Sequence, residues 1–129
     1  APPRVLVLEW TDPPFAPGHW IPEMGEMAGG FSVLGQTGEK SCRITWEEAQ
    51  NSAPDVVVCA PCGFDLEKST VLAKQVRGHF PGIPVWAADA NASFARPGPR
   101  LIDGIEALAS IFHPGSVPPC PDTVRKLVE

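Results

Sequence analysis

Short apolar runs alternate along this chain with stretches in which apolar residues recur every three or four positions, and that alternation predicts the order of elements. Val5-Leu6-Val7-Leu8 is a near-continuous apolar run, the pattern of a strand buried on both faces. Thr11 to Gly18 reads as a proline-rich loop, after which Trp20, Ile21, Met24, Met27 and Ala28 recur at helical spacing until Gly29-Gly30 ends the helix. Phe31 to Leu34 predicts a short second strand, and the polar, glycine-bearing stretch from Gly35 to Arg43 a loop. Thr45-Trp46-Glu47-Glu48 has the Thr-x-x-Glu form of a capping box, which starts a short helix that Ala53-Pro54 ends. Asp55-Val56-Val57-Val58-Cys59 is the most strand-like segment. Asp65 is a good N-cap for a helix with Leu66, Leu72, Ala73, Val76 and Phe80 on its apolar face, and Pro81-Gly82 is the stop. Ile83 to Ala88 predicts a fourth strand. Residues 89–100 then form a loop stiffened by Pro97 and Pro99, and Leu101, Ile102, Ile105, Leu108, Ala109 and Phe112 form the stripe of a last helix.

The order β-α-β-α-β-α-β-loop-α implies an α/β fold. It is a Rossmann-like three-layer lobe with a central parallel sheet of four or five strands, helices on both faces and right-handed crossovers. In such sheets ligands sit beyond the carboxyl ends of the strands. Those ends carry residues 10–15, 60–64 and 89–96. Pro114 to Pro121 holds four prolines and a glycine. We therefore divide the chain into a lobe over 1–113 and a proline-rich tail over 114–129, loosely packed or truncated.

Composition narrows the function. A chain of 129 residues fits one domain, and its net charge of −5 argues against a nucleic-acid partner, which rewards Lys and Arg. No run approaches a membrane span, and Ala1-Pro2-Pro3-Arg4 lacks the charged and apolar regions of a signal peptide.

Catalysis finds no convincing set of residues. Cys59-Ala60-Pro61-Cys62 is a Cys-x-x-Cys at a strand-to-helix junction, where a small thiol-redox protein would carry its pair. Cys59 fits equally as a small core residue, since it ends a buried strand. Cys42, Cys120, His19, His79 and His113 show no second pair at zinc-finger spacing, so no metal site is expected. Glu23, Glu26, Glu47 and Glu48 stand on helix surfaces as solvated carboxylates. No phosphate-binding glycine loop and no nucleophile elbow occurs. What remains is a binding surface. Glu9, Trp10, Asp12, Phe15, His19 and Trp20 either wall a flat apolar ligand or lid the core, and Asn91, Phe94 and Arg96 either recognise a ligand or make a structural salt bridge.

Several stretches together resemble a known family. They are Arg4-Val5-Leu6-Val7-Leu8-Glu9-Trp10, Asp12-Pro13-Pro14-Phe15 with Gly18-His19-Trp20-Ile21-Pro22-Glu23, and Ala28-Gly29-Gly30. Thr45-Trp46-Glu47-Glu48, Pro54-Asp55-Val56-Val57-Val58 with Pro61-Cys62-Gly63-Phe64, and Asn91 with Phe94 and Arg96-Pro97-Gly98-Pro99-Arg100 complete the set. The pattern resembles the cobalamin-binding substrate-binding proteins of ABC importers whose two lobes are joined by one long helix, and the match is to the carboxyl-terminal lobe. The resemblance implies a binding module and no enzyme. It implies cobalamin or a related corrinoid or tetrapyrrole as ligand, and an ABC permease, a second lobe or a homodimer as partner. It also implies a periplasmic or cell-surface location, and it nominates Phe15, Trp46, Asn91, Ser93, Phe94 and Arg96 as ligand-binding residues. A thiol-redox protein using Cys59 and Cys62, or an interaction domain that has lost its ligand, are the alternatives.

Overall fold

The computed structural model describes residues 2–16, 18, 21–34, 42–61, 63–90 and 100–127, with backbone alone at 100 and 101. In chain order the elements are β1 (Arg4–Leu8), β2 (Trp10–Thr11), β3 (Pro14–Ala16), α1 (Ile21–Met27), β4 (Phe31–Ser32), β5 (Cys42–Arg43) and α2 (Trp46–Asn51). They continue with β6 (Val56–Cys59), α3 (Leu66–Val76), a 3₁₀ turn (Arg77–His79), β7 (Val85–Ala88), α4 (Arg100–Phe112) and β8 (Val124–Lys126).

The central sheet has five strands in the order β4-β1-β6-β7-β8. The first four run parallel, with Val5 opposite Val56 and Val58 opposite Trp86. Successive side chains of a strand point to opposite faces, so a run apolar at every position must be covered on both. The two core clusters show this division. Val5, Val7, Val56, Val58 and Ala88 pack with Met24 of α1 and Leu108 and Phe112 of α4. Leu6, Leu8, Val57, Cys59, Val85 and Ala87 pack on the other face with Ala49 of α2 and Ala73 and Val76 of α3. The result is a three-layer α/β lobe.

Local hydrogen bonding explains the helix boundaries. Thr45 Oγ1 accepts from the Glu48 N–H at 3.0 Å, and the Thr45 N–H donates to Glu48 Oε1 at 3.0 Å, which completes the capping box. Asp65 Oδ1 accepts from the Lys68 N–H at 2.9 Å at the start of α3. At the far end of α2 the Arg4 guanidinium donates to Ser52 O at 2.7 Å and Ala53 O at 3.2 Å, satisfying carbonyls that a helix end leaves open. Gly30 lets the chain turn against the ring of Phe112, where a Cβ would stand 2.8 Å from the nearest ring carbon.

Three features depart from the pattern read along the sequence. The proline-rich stretch that starts at Thr11, expected as a loop, carries the paired short strands β2 and β3. The stretch expected as a loop over 35–43 ends in β5, which joins β2 and β3 in a second, three-stranded antiparallel sheet ordered β2-β3-β5; residues 35–41 lie outside the described residues. Residues 114–127, expected as a loose tail, instead supply the edge strand β8, antiparallel to β7 with Ala88 opposite Val124. Leu127 donates its N–H to Val85 O at 2.9 Å, and Val124 and Leu127 are both buried. Arg125 adds a 2.9 Å ion pair to Glu67 on α3. The strand escaped notice because only its inward residues are apolar, as suits an edge. No helix among the described residues is long and apolar enough to cross a membrane.

Candidate functional site

The carboxyl end of β1 leads directly into the hairpin β2–β3. The Glu9 N–H donates to Phe15 O at 3.0 Å, and Glu9 Oε2 accepts from the Gly18 N–H at 2.7 Å, tying both ends of the hairpin to the sheet. The Asp12-Pro13 peptide at its tip is cis, and Trp10 Nε1 donates to Asp12 O at 3.2 Å across the turn. The Ile44 N–H donates to Pro14 O at 2.9 Å, which holds β5 and the start of α2 alongside.

The register of this small sheet assembles a row of side chains. Trp10 stands opposite Phe15, and Phe15 stands opposite Arg43. Residues directly opposite in an antiparallel pair lie on the same face, with Cβ atoms about 5 Å apart. Trp10, Phe15 and Arg43 therefore share one face. Burial agrees: Thr11, Pro14 and Ala16 are buried against the core, while Trp10 and Phe15 are half-buried and Arg43 is exposed. Phe64, from the loop after β6, extends the row. Its ring meets that of Trp10 edge to face with centroids 5.2 Å apart. Phe64 is placed by a turn in which its N–H donates to Pro61 O at 3.0 Å, with Gly63 at φ 80°, a value that favours glycine at the third position of such a turn. The hairpin after β1, the loop after β6 and strand β5 thus present one strip of two rings, an indole and a guanidinium.

Of the six nominated binding residues, Phe15 lies on this strip. Trp46, two residues past Ile44, stacks its ring on His79 with centroids 3.8 Å and planes 2° apart, and meets Phe80 edge to face at 6.3 Å. Asn91, Ser93, Phe94 and Arg96 lie outside the described residues, as do His19, Trp20 and Cys62. Their loop begins at Asp89, beyond the carboxyl end of β7. Sequence reasoning passed over Arg43 and Phe64 as ligand residues. Phe64 had a signal, an aromatic directly after a strand and a glycine. Arg43 had none, because its neighbour across the strand is 28 positions away.

The thiol site is of another kind. Cys59 is completely buried in the core between α3 and the sheet, and desolvation pushes its thiol up to about 12. A reactive cysteine needs the opposite shift. Among the described residues, no three His, Cys, Asp or Glu side chains gather as a metal site. Glu23, Glu26, Glu47 and Glu48 are exposed on α1 and α2, and Glu48 serves the cap. A groove of about 450 Å³ opens at the opposite, amino end of the strands, lined by Trp86, Phe112, Val117 and several prolines. The strip is favoured as the functional surface because it lies at the carboxyl ends, where sheets of this kind bind ligands.

No protein-family model and no curated protein matches the sequence. Solved structures do. An ABC transporter substrate-binding protein from Listeria monocytogenes EGD-e is similar over 88% of this chain and 48% of its own, at 17% identity and a TM-score of 0.73. A periplasmic heme binding protein from Pseudomonas aeruginosa is similar over 99% of this chain and 49% of its own, at 23% identity and a TM-score of 0.72. The periplasmic vitamin B12 binding protein of Vibrio cholerae is similar over 86% of this chain and 44% of its own, at 19% identity and a TM-score of 0.60. The chain spans about half the length of the solved proteins it matches. It has the fold of one lobe of an ABC-transporter substrate-binding protein, the fold that its sequence motifs resemble.

Proposed function

We propose that this lobe binds cobalamin, or a related corrinoid or tetrapyrrole, on the outer face of the β2-β3-β5 sheet and the loops beside it. The observation that carries the reading is the row Phe64, Trp10, Phe15, Arg43, set by strand register at the carboxyl end of the parallel sheet. A broad, flat macrocycle with polar groups on its rim needs aromatic walls and a few donors, and the row offers both. The vitamin B12 and heme specificities in the names of two structural neighbours support the ligand class. The loop over 91–96 completes the site in this proposal, with Phe94 as a further wall and Asn91, Ser93 and Arg96 as polar partners. The far side of the ligand is closed by a second lobe or a second copy, and an ABC permease receives the ligand in the periplasm or at the cell surface. The module binds and does no chemistry.

Titration of the chain with cyanocobalamin and with haemin, followed by quenching of tryptophan emission, tests the reading beside a Trp10→Ala/Phe15→Ala variant. Saturable quenching that the variant weakens at least tenfold is the expected result. Equal binding by both proteins rejects the strip as the site.

A further inference from the structure

The arginines of the described chain divide sharply by what they do. Arg4 caps α2 through two carbonyls, Arg125 pairs with Glu67 at 2.9 Å, and Arg77 also has a partner. Arg43 alone among those whose side chains are described makes no hydrogen bond, ion pair or ring contact with another described residue. It is exposed, yet it is not placed at random. It stands opposite Phe15, which stands opposite Trp10, so the guanidinium terminates an aromatic row.

We infer that Arg43 selects the ligand by an anionic group on the rim of the macrocycle. The inference rests on the proposed function and deepens it. Two interstrand spacings separate Trp10 from Arg43, roughly 10 Å, a span comparable with a tetrapyrrole disc lying on the two rings. A ring seated there brings one rim substituent to the guanidinium. A planar fork of fixed donors recognises carboxylate or phosphate oxygens and has no acceptor to offer an amide N–H. The shared chemistry is an oxyanion, which a porphyrin carries as side-chain carboxylates and cobalamin as its nucleotide phosphodiester. A charge-assisted hydrogen bond to such a group amounts to about tenfold or more in affinity.

The test compares matched probes on the whole chain and on Arg43→Gln and Arg43→Lys. Protoporphyrin IX is set against its dimethyl ester, and cyanocobalamin against dicyanocobinamide, which lacks the phosphodiester. The expected result is that Arg43→Gln loses about tenfold for the anionic member of one pair and under twofold for its neutral counterpart, with Arg43→Lys in between. The pair that shows the effect identifies carboxylate or phosphodiester as the recognised group. An unchanged preference within both pairs, in a variant with wild-type tryptophan emission and thermal midpoint, overturns the role of Arg43 while leaving the proposed function standing. A wild-type chain that binds none of the four probes overturns both.

Discussion

Trp46 and His79 stack face to face, with ring centroids 3.8 Å and planes 2° apart. The contact joins the first turn of α2 to the turn that follows α3, and Gln50 reinforces it by donating to His79 O at 2.8 Å. Trp46 also packs against the core cluster on this face of the sheet. The indole therefore holds two helices together, whatever else its open face meets. Trp46→Ala is expected to lower stability by about 2–4 kcal/mol, and Trp46→Phe by less than half of that, because a flat ring remains for His79. Urea denaturation of both variants measures the difference. A stable Trp46→Ala chain with weakened cyanocobalamin binding would assign the residue to the ligand instead.

Cys59 offers a pH test whose sign is fixed by its burial. Its thiol is held at about 12 against an ordinary value of 9.0, so the folded protein keeps the proton that the unfolded chain gives up first. The unfolded state then binds fewer protons, and stability falls as pH rises from about 9 towards 12. Below pH 9 the contribution is complete. Cys59→Ala should flatten this part of the stability curve. Alkylation at pH 8 followed by mass spectrometry should modify exposed Cys42 promptly and Cys59 only at the rate of unfolding. Rapid modification of Cys59 in the native protein would restore the thiol-redox alternative.

Ala53 has φ 53°, in the region that a Cβ makes unfavourable, directly after the helix that Arg4 caps. Glycine at this place relieves the clash and suits the end of a helix. Ala53→Gly is expected to stabilise the protein by about 1 kcal/mol, raising the thermal midpoint by roughly 3–6 °C. The carbonyl that accepts from Arg4 Nε is unchanged, so Arg4→Ala should be destabilising in both backgrounds by the same amount. Calorimetry of the four proteins checks the additivity as well as the sign.

The features legible in the sequence share a short range. Thr45 finds Glu48 three residues away, and Asp65 finds Lys68 at the same distance, so a local pattern contains the whole hydrogen-bonding unit. Val5 to Leu8 and Val56 to Cys59 are apolar throughout because both faces are covered, a property of the run itself. The small sheet is different. Its strands have two or three residues, one of them begins with Pro14, and the pairing of Phe15 with Arg43 depends on a chain reversal that neither segment encodes. So the aromatic wall of the candidate site was visible from Trp10 and Phe15, while the guanidinium beside them was not. The partner of Trp46 was hidden for the same reason: a half-exposed tryptophan at a helix start says nothing of the histidine it stacks on 33 positions later.

The segment over 114–127 gives the sharpest test of how the lobe is closed. Trp86, Ala87 and Ala88 of β7 pair with Lys126, Arg125 and Val124, and the Asp89 N–H donates to Thr123 O at 2.7 Å, at the start of the loop that the proposed site needs. Removing residues 114–129 would leave β7 as an open edge with apolar residues on both faces and would uncover the core beneath Val124 and Leu127. The truncated chain is expected to lose several kcal/mol, since burial of each such side chain contributes about 1.5–3 kcal/mol, and to associate in solution through the exposed edge. Lys126→Pro is the subtler version. Lys126 lies on the outermost strand, so the substitution disturbs pairing with Trp86 while leaving the rest of the chain in place. If truncation leaves the denaturation midpoint and the monomeric state unchanged, the segment is an accessory tail and the lobe ends at α4. If the midpoint falls and Lys126→Pro falls part of the way with it, β8 is an integral strand and the loop after Asp89 is anchored through it.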